Sequence, residues 1–410
     1  MAEARTPRSS LGRQVASPIA ITILAVLPAF LVGALAVEIR AELEFSDLRL
    51  GALVTIFAVT GFLASPLAGR LIDAKGEKAG AVASSTLVAG GLAVAMLSQS
   101  WTALAVAYVI AGLGSAAANP TANLALVTRV PPARQGLAFG LKQAAIPIAI
   151  FLAGVAVPAV GLTVGWRWAF AGGAVAALSL AINAARSSPV TGRREASARR
   201  GTGDPVPLLL VAGVGFLAIA GVQAVATFLV VAAVDLGIGS GAAGFLLAAA
   251  SLVGIAVRIG SGWMVDRVPG RSVLLIIASY MAIGAVGLAL IAFAEVFVAF
   301  GLGTLLGLGA GWSWNGMMHF VVVRGYPEAP ASATSILQTG LLAGAASGPL
   351  LFGWIVTNGE FRSAWLVAGA ALLMAAVLAT VAWRVWLPRQ IAADEQRQAA
   401  AVSSSSRPSS

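Results

Sequence analysis

AGAVASSTLVAGGLAVAMLSQSWTALAVAYVIAGLGSAAANPTANLALVT, residues 79–128, runs for fifty residues without a charged side chain. The hydrocarbon core of a bilayer is about 30 Å thick, and a helix needs roughly 20 apolar residues to cross it. Fifty residues are enough for two crossings, and the polar cluster Ser98, Gln99, Ser100 and Thr102 marks where they meet. Similar charge-free runs cover 14–37, 50–69, 143–166, 168–185, 205–234, 236–257, 272–294, 296–323, 329–359 and 363–383. With the long run counted twice, twelve spans result. None shows the alternation of a membrane-spanning strand, so the expected fold is an all-α membrane protein.

Composition agrees. Of 410 residues 59% are hydrophobic and 10% charged, against roughly 25% charged in soluble domains. Cysteine is absent, which excludes disulfides and thiolate metal sites. With one histidine there is no His-Glu-x-x-His zinc site, and no Gly-x-Ser-x-Gly elbow occurs. Neither an enzyme, a metal nor a cofactor is expected.

The net charge of +10 does not point to nucleic acid. Twelve spans put both termini and the loops after even-numbered spans on one side. That side collects twenty of the 26 Lys and Arg residues, the other side four, and Lys142 and Arg258 remain inside spans. Cytoplasmic loops carry the positive excess. Both termini are therefore expected in the cytoplasm of a bacterial cell, the chain spanning its inner (plasma) membrane as a monomer.

The basic stretch between spans 6 and 7 cuts the chain into 1–16 (cytoplasmic segment), 17–186 (six spans), 187–205 (linker), 206–386 (six spans) and 387–410 (disordered tail). An internal repeat follows at near-constant offset. Gly69 and Asp73 recur as Gly262 and Asp266, Gly112-Leu113-Gly114 as Gly307-Leu308-Gly309, Arg129 as Arg324, Gln143 as Gln338, and Arg167 as Arg362. Parallel six-helix halves are one known transporter layout.

On these residues the chain resembles the major facilitator superfamily (MFS). The specific part is Gly69-Arg70-Leu71-Ile72-Asp73-Ala74-Lys75-Gly76-Glu77-Lys78, with a half-repeat copy from Gly262 to Arg271. It is similar to the family's loop signature, a Gly, an Asp four residues on, and a basic Gly-containing turn. Ala74 and Glu77 depart from it, both standing where basic residues are usual. The resemblance implies two pseudo-symmetric six-helix bundles working by alternating access. It also implies a gate in which Gly69, Asp73, Lys75, Lys78, Gly262, Asp266, Arg267 and Arg271 latch the cytoplasmic side. The family's drug/proton antiporters carry an Arg on span 4 where this chain has Tyr108.

An ionisable group inside a span costs about 2.5–3.5 kcal/mol on insertion scales. Lys142, eight residues after Arg134, lies roughly 10–12 Å into span 5; Arg258, eight residues before Asp266, has similar depth in span 8. Small residues surround both: Ala138, Ala145 and Ala149 beside Lys142, Gly254 and Gly262 beside Arg258. Small residues mark protein-facing sides. Their repeat positions hold Leu337 and Ser65, so neither cation is an architectural requirement. Two readings stand: an anion site, or snorkelling to the headgroups. Gln143, Gln338, Asn119, Trp312 and Asn315 are the other candidate substrate contacts, the tryptophans serving a cavity or the core. Glu38 and His319 are the candidates for proton coupling.

The expected function is secondary transport of a small organic or inorganic anion. The membrane potential opposes anion entry, so uptake calls for a co-transported proton or exchange. The alternative is efflux of lipophilic drugs past Trp312 and Trp314.

Overall fold

The computed structural model describes residues 11–187, 206–265, 273–326 and 330–405. Among these residues there is no strand, and eleven segments are long and apolar enough to cross a membrane. Helix α1 (Leu11–Ala34) bends at Leu35 into the short α2 (Ala36–Leu43). Helix α3 (Asp47–Leu97) has 51 residues and would extend ~77 Å if straight, more than twice the hydrocarbon thickness. Gly76 interrupts it with φ 83° and ψ 174°, a backbone region that glycine enters without steric cost. The segment therefore supplies spans 2 and 3, and the crossings number twelve.

Helix α4 (Trp101–Arg129) starts on Ser100, whose side chain accepts from the Ala103 N–H, satisfying one of the unpaired first-turn donors. Span 5 is made of α5 (Pro132–Gln143), α6 (Ala145–Ala156) and a π-helical turn, Val157–Gly161. The break at Ala144 falls three residues before Pro147, which has no N–H to offer the Gln143 carbonyl. Helices α7 (Trp166–Arg186), α8 (Val206–Asp235), α9 (Ser240–Val265) and α10 (Val273–Ala292) follow. Span 10 combines α11 (Phe297–Thr304), a π-helical stretch Leu305–Ala310, a turn at 311–314 and α12 (Asn315–Gly325). Helices α13 (Pro330–Asn358) and α14 (Phe361–Ser405) complete the chain.

Helix α14 corrects one expectation. The tail from 387 was read as disordered, yet the helix continues to Ser405. Residues 392–401, AADEQRQAAA, are nearly all strong helix formers, and they extend a helix already nucleated in the last span.

Two compact units emerge, and their border differs from the midpoint of the sequence. The first comprises Met1–Glu195, Ala226–Ile255 and Pro349–Phe361; the second comprises Ala196–Val225, Ala256–Gly348 and Arg362–Ser410. The first unit thus takes in the ends of α8, α9 and α13 that lie away from the arginine-rich loops. Glycine makes this packing close. A Cβ on Gly33 would come within 2.7 Å of the Thr227 Cα, and one on Gly154 within 2.8 Å of the Ala248 nitrogen. On Gly51 and Gly353 it would overlap the carbonyl oxygens of Pro349 and Asp47. The Leu48 N–H donates to the Thr357 Oγ1 at 2.9 Å beside them. In the second unit Gly340, Gly344 and Gly348 of α13 ride on Ala212, Phe216 and Ala220 of α8, and Gly303 meets Gly287, as their spacing leads one to expect.

The repeat is visible in side-chain chemistry. Arg167 Nη2 donates to the Ser98 carbonyl at 2.8 Å in the first unit. Its counterpart Arg362 donates through Nε to the Ala292 carbonyl at 3.3 Å in the second. Each also sits over a ring, Arg167 over Trp166 and Arg362 over Phe293. Both arginines close the free carbonyl at the end of the helix pair before them. Arg167 additionally binds Glu42.

Glycine contacts of this kind give a sharp contrast. Gly51→Val forces backbone apart and is expected to lower stability by about 1–3 kcal/mol. Gly69→Ala, whose added Cβ would have nothing within 4 Å, should stay within about 0.5 kcal/mol of the parent. Thermal unfolding of the two purified variants in detergent checks both. Equal losses would mean that the Gly51 contact is not tight.

Candidate functional site

Lys142 lies in the last turn of α5, where the carbonyl end of the helix favours a cation. The break at Ala144 follows immediately. Its neighbours Ala138, Ala145 and Ala149 are all fully buried, so this face of span 5 packs on protein. Lys142 itself is 6% exposed. Its Nζ does not reach for the headgroups. It donates to Asn119 Oδ1 at 2.8 Å and Asn123 Oδ1 at 2.7 Å, both on α4. Among the described residues no carboxylate pairs with it. The ammonium is therefore solvated by neutral amides and keeps its charge uncompensated.

Asn119 and Asn123 are exposed although they lie well inside a span. An amide that faces hydrocarbon costs several kcal/mol, which makes two exposed asparagines inside a span a feature to be explained. Asn123 was not among the residues singled out for the site. Its spacing of one helical turn from Asn119 was the available signal. The repeat-related positions of Asn119, Asn123 and Lys142 are Trp314, Met318 and Leu337, each fully buried. A polar cluster in one half is matched by an apolar one in the other.

Arg258, on α9, is half-buried and donates through Nη2 to the Trp312 carbonyl at 2.8 Å. That carbonyl lies in the turn between the π-helical stretch and α12, so Arg258 supports a discontinuity of span 10. Lys142 and Arg258 belong to different units. Trp312, Trp314 and Asn315 are 3%, 0% and 8% exposed, which puts the aromatic pair in the core. Gln143 and Gln338 are half-buried. His319 is held by its Nδ1 against the Asn315 carbonyl at 2.9 Å. Both carboxylate oxygens of Glu38 are buried, with no hydrogen-bond partner among the described residues. Tyr108, 1% exposed, donates to the Pro28 carbonyl at 2.6 Å and ties α4 to α1.

Of the gating set, Asp73 and Lys75 are exposed and Lys78 half-buried around the Gly76 turn. Gly69 and Gly262 face open space. Asp266, Arg267 and Arg271 lie outside the described residues. The sequence reading missed the ion pair in this region. Arg129, closing α4, forks onto Glu77, donating through Nε to Oε2 at 3.1 Å and through Nη2 to Oε1. Glu77 is 7% exposed. The clue was that Glu77 stands where the family's loop carries a base.

With fold and geometry in hand, the class is a multi-pass α-helical membrane transporter. The Major Facilitator Superfamily model matches residues 19–330, and the chain belongs to that family. It is a transporter of small solutes and not an enzyme. No curated protein sequence matches it. Solved structures share its fold. The xylose transporter XylE from E. coli, partially occluded and inward-open, superposes with TM-score 0.73 at 15% identity, over 90% of this chain and 97% of that one. A bacterial homologue of the human lysosomal transporter Spinster, inward-facing and unoccupied, gives 0.69 at 17% identity over 94% and 99%. The nucleoside transporter NupG gives 0.71 at 15% identity over 89% and 99%.

The Glu77–Arg129 pair yields a test by double-mutant cycle. Arg129→Gln leaves a buried carboxylate alone and should cost about 3 kcal/mol. Glu77→Gln combined with Arg129→Gln should recover most of that loss. Chemical or thermal unfolding of all four proteins measures it, and additive losses would mean that the two side chains do not act as a pair.

Proposed function

We propose that this chain carries a small anion across a bacterial inner membrane by alternating access, with both termini in the cytoplasm. One observation carries the reading: a buried ammonium, Lys142, whose partners are two neutral, exposed amides of α4, a placement that suits a water-filled path and not hydrocarbon. A charge kept without a counter-ion attracts an anion from solution and repels a cation. The apolar counterpart Leu337, Trp314 and Met318 adds support, because the fold is built equally well without the cluster. Gln143, next to Lys142, completes the polar surroundings in this reading.

Efflux of lipophilic drugs finds less support. The tryptophans that would serve it, Trp312 and Trp314, are packed away. The structural relatives named for xylose and nucleosides carry neutral solutes, so their fold alone does not choose the substrate. One relative is a D-xylose–proton symporter, and a proton likewise suits an anion moving against the membrane potential. Glu38, whose two carboxylate oxygens are buried with no hydrogen-bond partner among the described residues, is the carboxyl proposed to carry it. Arg258 acts in this scheme by holding span 10 at its break, and the residues around Gly69 and Gly262 form the cytoplasmic gate.

Uptake of radiolabelled acetate or cyanate into proteoliposomes tests the proposal. Lys142→Gln should lower anion flux by at least about tenfold, the worth of one charge-assisted hydrogen bond, and Glu38→Gln should abolish stimulation by an inward proton gradient. Unchanged anion flux in the lysine variant, with normal expression and folding, sinks the anion reading.

A further inference from the structure

Granted the anion reading above, on which this inference rests, the same cluster says which anions. Lysine has three N–H donors and no acceptor. An asparagine beside it must therefore turn its oxygen toward Nζ, and the bonds at 2.8 and 2.7 Å show both amides doing so. Each Nδ2 is then directed away from the ammonium. Neither Nδ2 has an acceptor among the described residues, and both side chains are exposed. The third donor of Lys142 is likewise uncommitted among those residues.

We infer that Lys142 orients Asn119 and Asn123 so that their free N–H groups face the solute, selecting an oxyanion that accepts several hydrogen bonds, such as a carboxylate, over a halide of equal charge. The physics separates the two contributions. The ammonium attracts any monoanion alike. The oriented amides reward oxygen lone pairs spread over more than one atom, because N–H···O⁻ bonds are short and directional. A solute that brings its own donors, such as a polyol or an amide, finds the two asparagine oxygens already turned to Nζ and gains less from this face. Asn119 and Asn123 are specificity-determining residues in this view, and Lys142 is both the charge and the part that sets their orientation.

The arrangement also explains why the amides stand one turn apart on α4. Residues four apart lie on one helix face, so a single ammonium on α5 reaches both. A carboxylate at either position would cancel the charge.

Thermal-shift titration of the purified full-length protein, with benzoate and nitrate against iodide and with benzamide as the uncharged isostere of benzoate, tests the inference. Wild type is expected to bind benzoate and nitrate roughly tenfold or more tighter than iodide and to ignore benzamide. Asn119→Leu and Asn123→Leu should each flatten the oxyanion-to-iodide ratio while retaining charge-driven binding of both. Size-exclusion profile and unliganded melting temperature verify that the variants fold. If wild type binds iodide as tightly as the oxyanions, or the leucine variants keep the full preference, the donor-surface inference is wrong and the anion reading stands. If wild type binds no anion at all, both fall together.

Discussion

Hydrocarbon offers nothing to a backbone N–H or C=O, so every departure from the α-helical ladder in this chain must be satisfied from within the protein. That constraint organises the molecule. Where the ladder is intact, as in α10, the sequence needs only greasy residues and occasional glycines for close approach. Where it breaks, a partner is found nearby. Ser100 caps α4, Arg167 and Arg362 take the carbonyls of Ser98 and Ala292, and Arg258 takes that of Trp312. Most polar side chains of the spans are thus spent on the backbone.

Lys142 is the contrast. Arg258 and Arg167 serve carbonyls, and Arg129 serves a carboxylate. The lysine serves two exposed side chains that the helix does not need. Burying its ammonium costs energy that two neutral amides only partly return. A group maintained at a cost, and absent from the related half, is a better candidate for chemistry than one that repairs a helix end. The pairing of Glu77 with Arg129 belongs to the second kind. It fastens the turn after Gly76 to the end of α4, next to exposed Asp73 and Lys75.

How much of this the sequence discloses depends on the range of the interaction. Twelve crossings follow from hydrophobic runs, because run length against bilayer thickness is a one-dimensional quantity. The facing of span 5 was legible through Ala138, Ala145 and Ala149. The partners were not. Asn123 and Lys142 are nineteen residues apart, Glu77 and Arg129 fifty-two, and nothing local in either sequence stretch names the other. Arg258 shows the opposite failure. Depth and charge suggested a substrate contact, but its bond to the Trp312 carbonyl depends on the π-helical stretch at Leu305–Ala310 that precedes it, and a pattern of Leu, Gly and Ala does not distinguish π from α. The tail beyond 387 misled because polarity suggests disorder, whereas alanine and glutamine extend a helix already begun.

The internal repeat supplies the last step. Duplicated halves begin with the same chemistry at every position, and what has persisted in both is what the fold requires. Arg167 with Ser98 and Arg362 with Ala292 persisted, as did the glycines of spans 4 and 10. What differs is free of that requirement. The three positions of the Lys142 cluster have changed together, from an ammonium and two amides to Leu337, Trp314 and Met318. A change confined to one member would leave either a buried charge without its amides or a polar group in a packed core, each costing several kcal/mol. The three residues therefore form one unit of chemistry. Its presence in one half only sets that half apart by chemistry and not by fold.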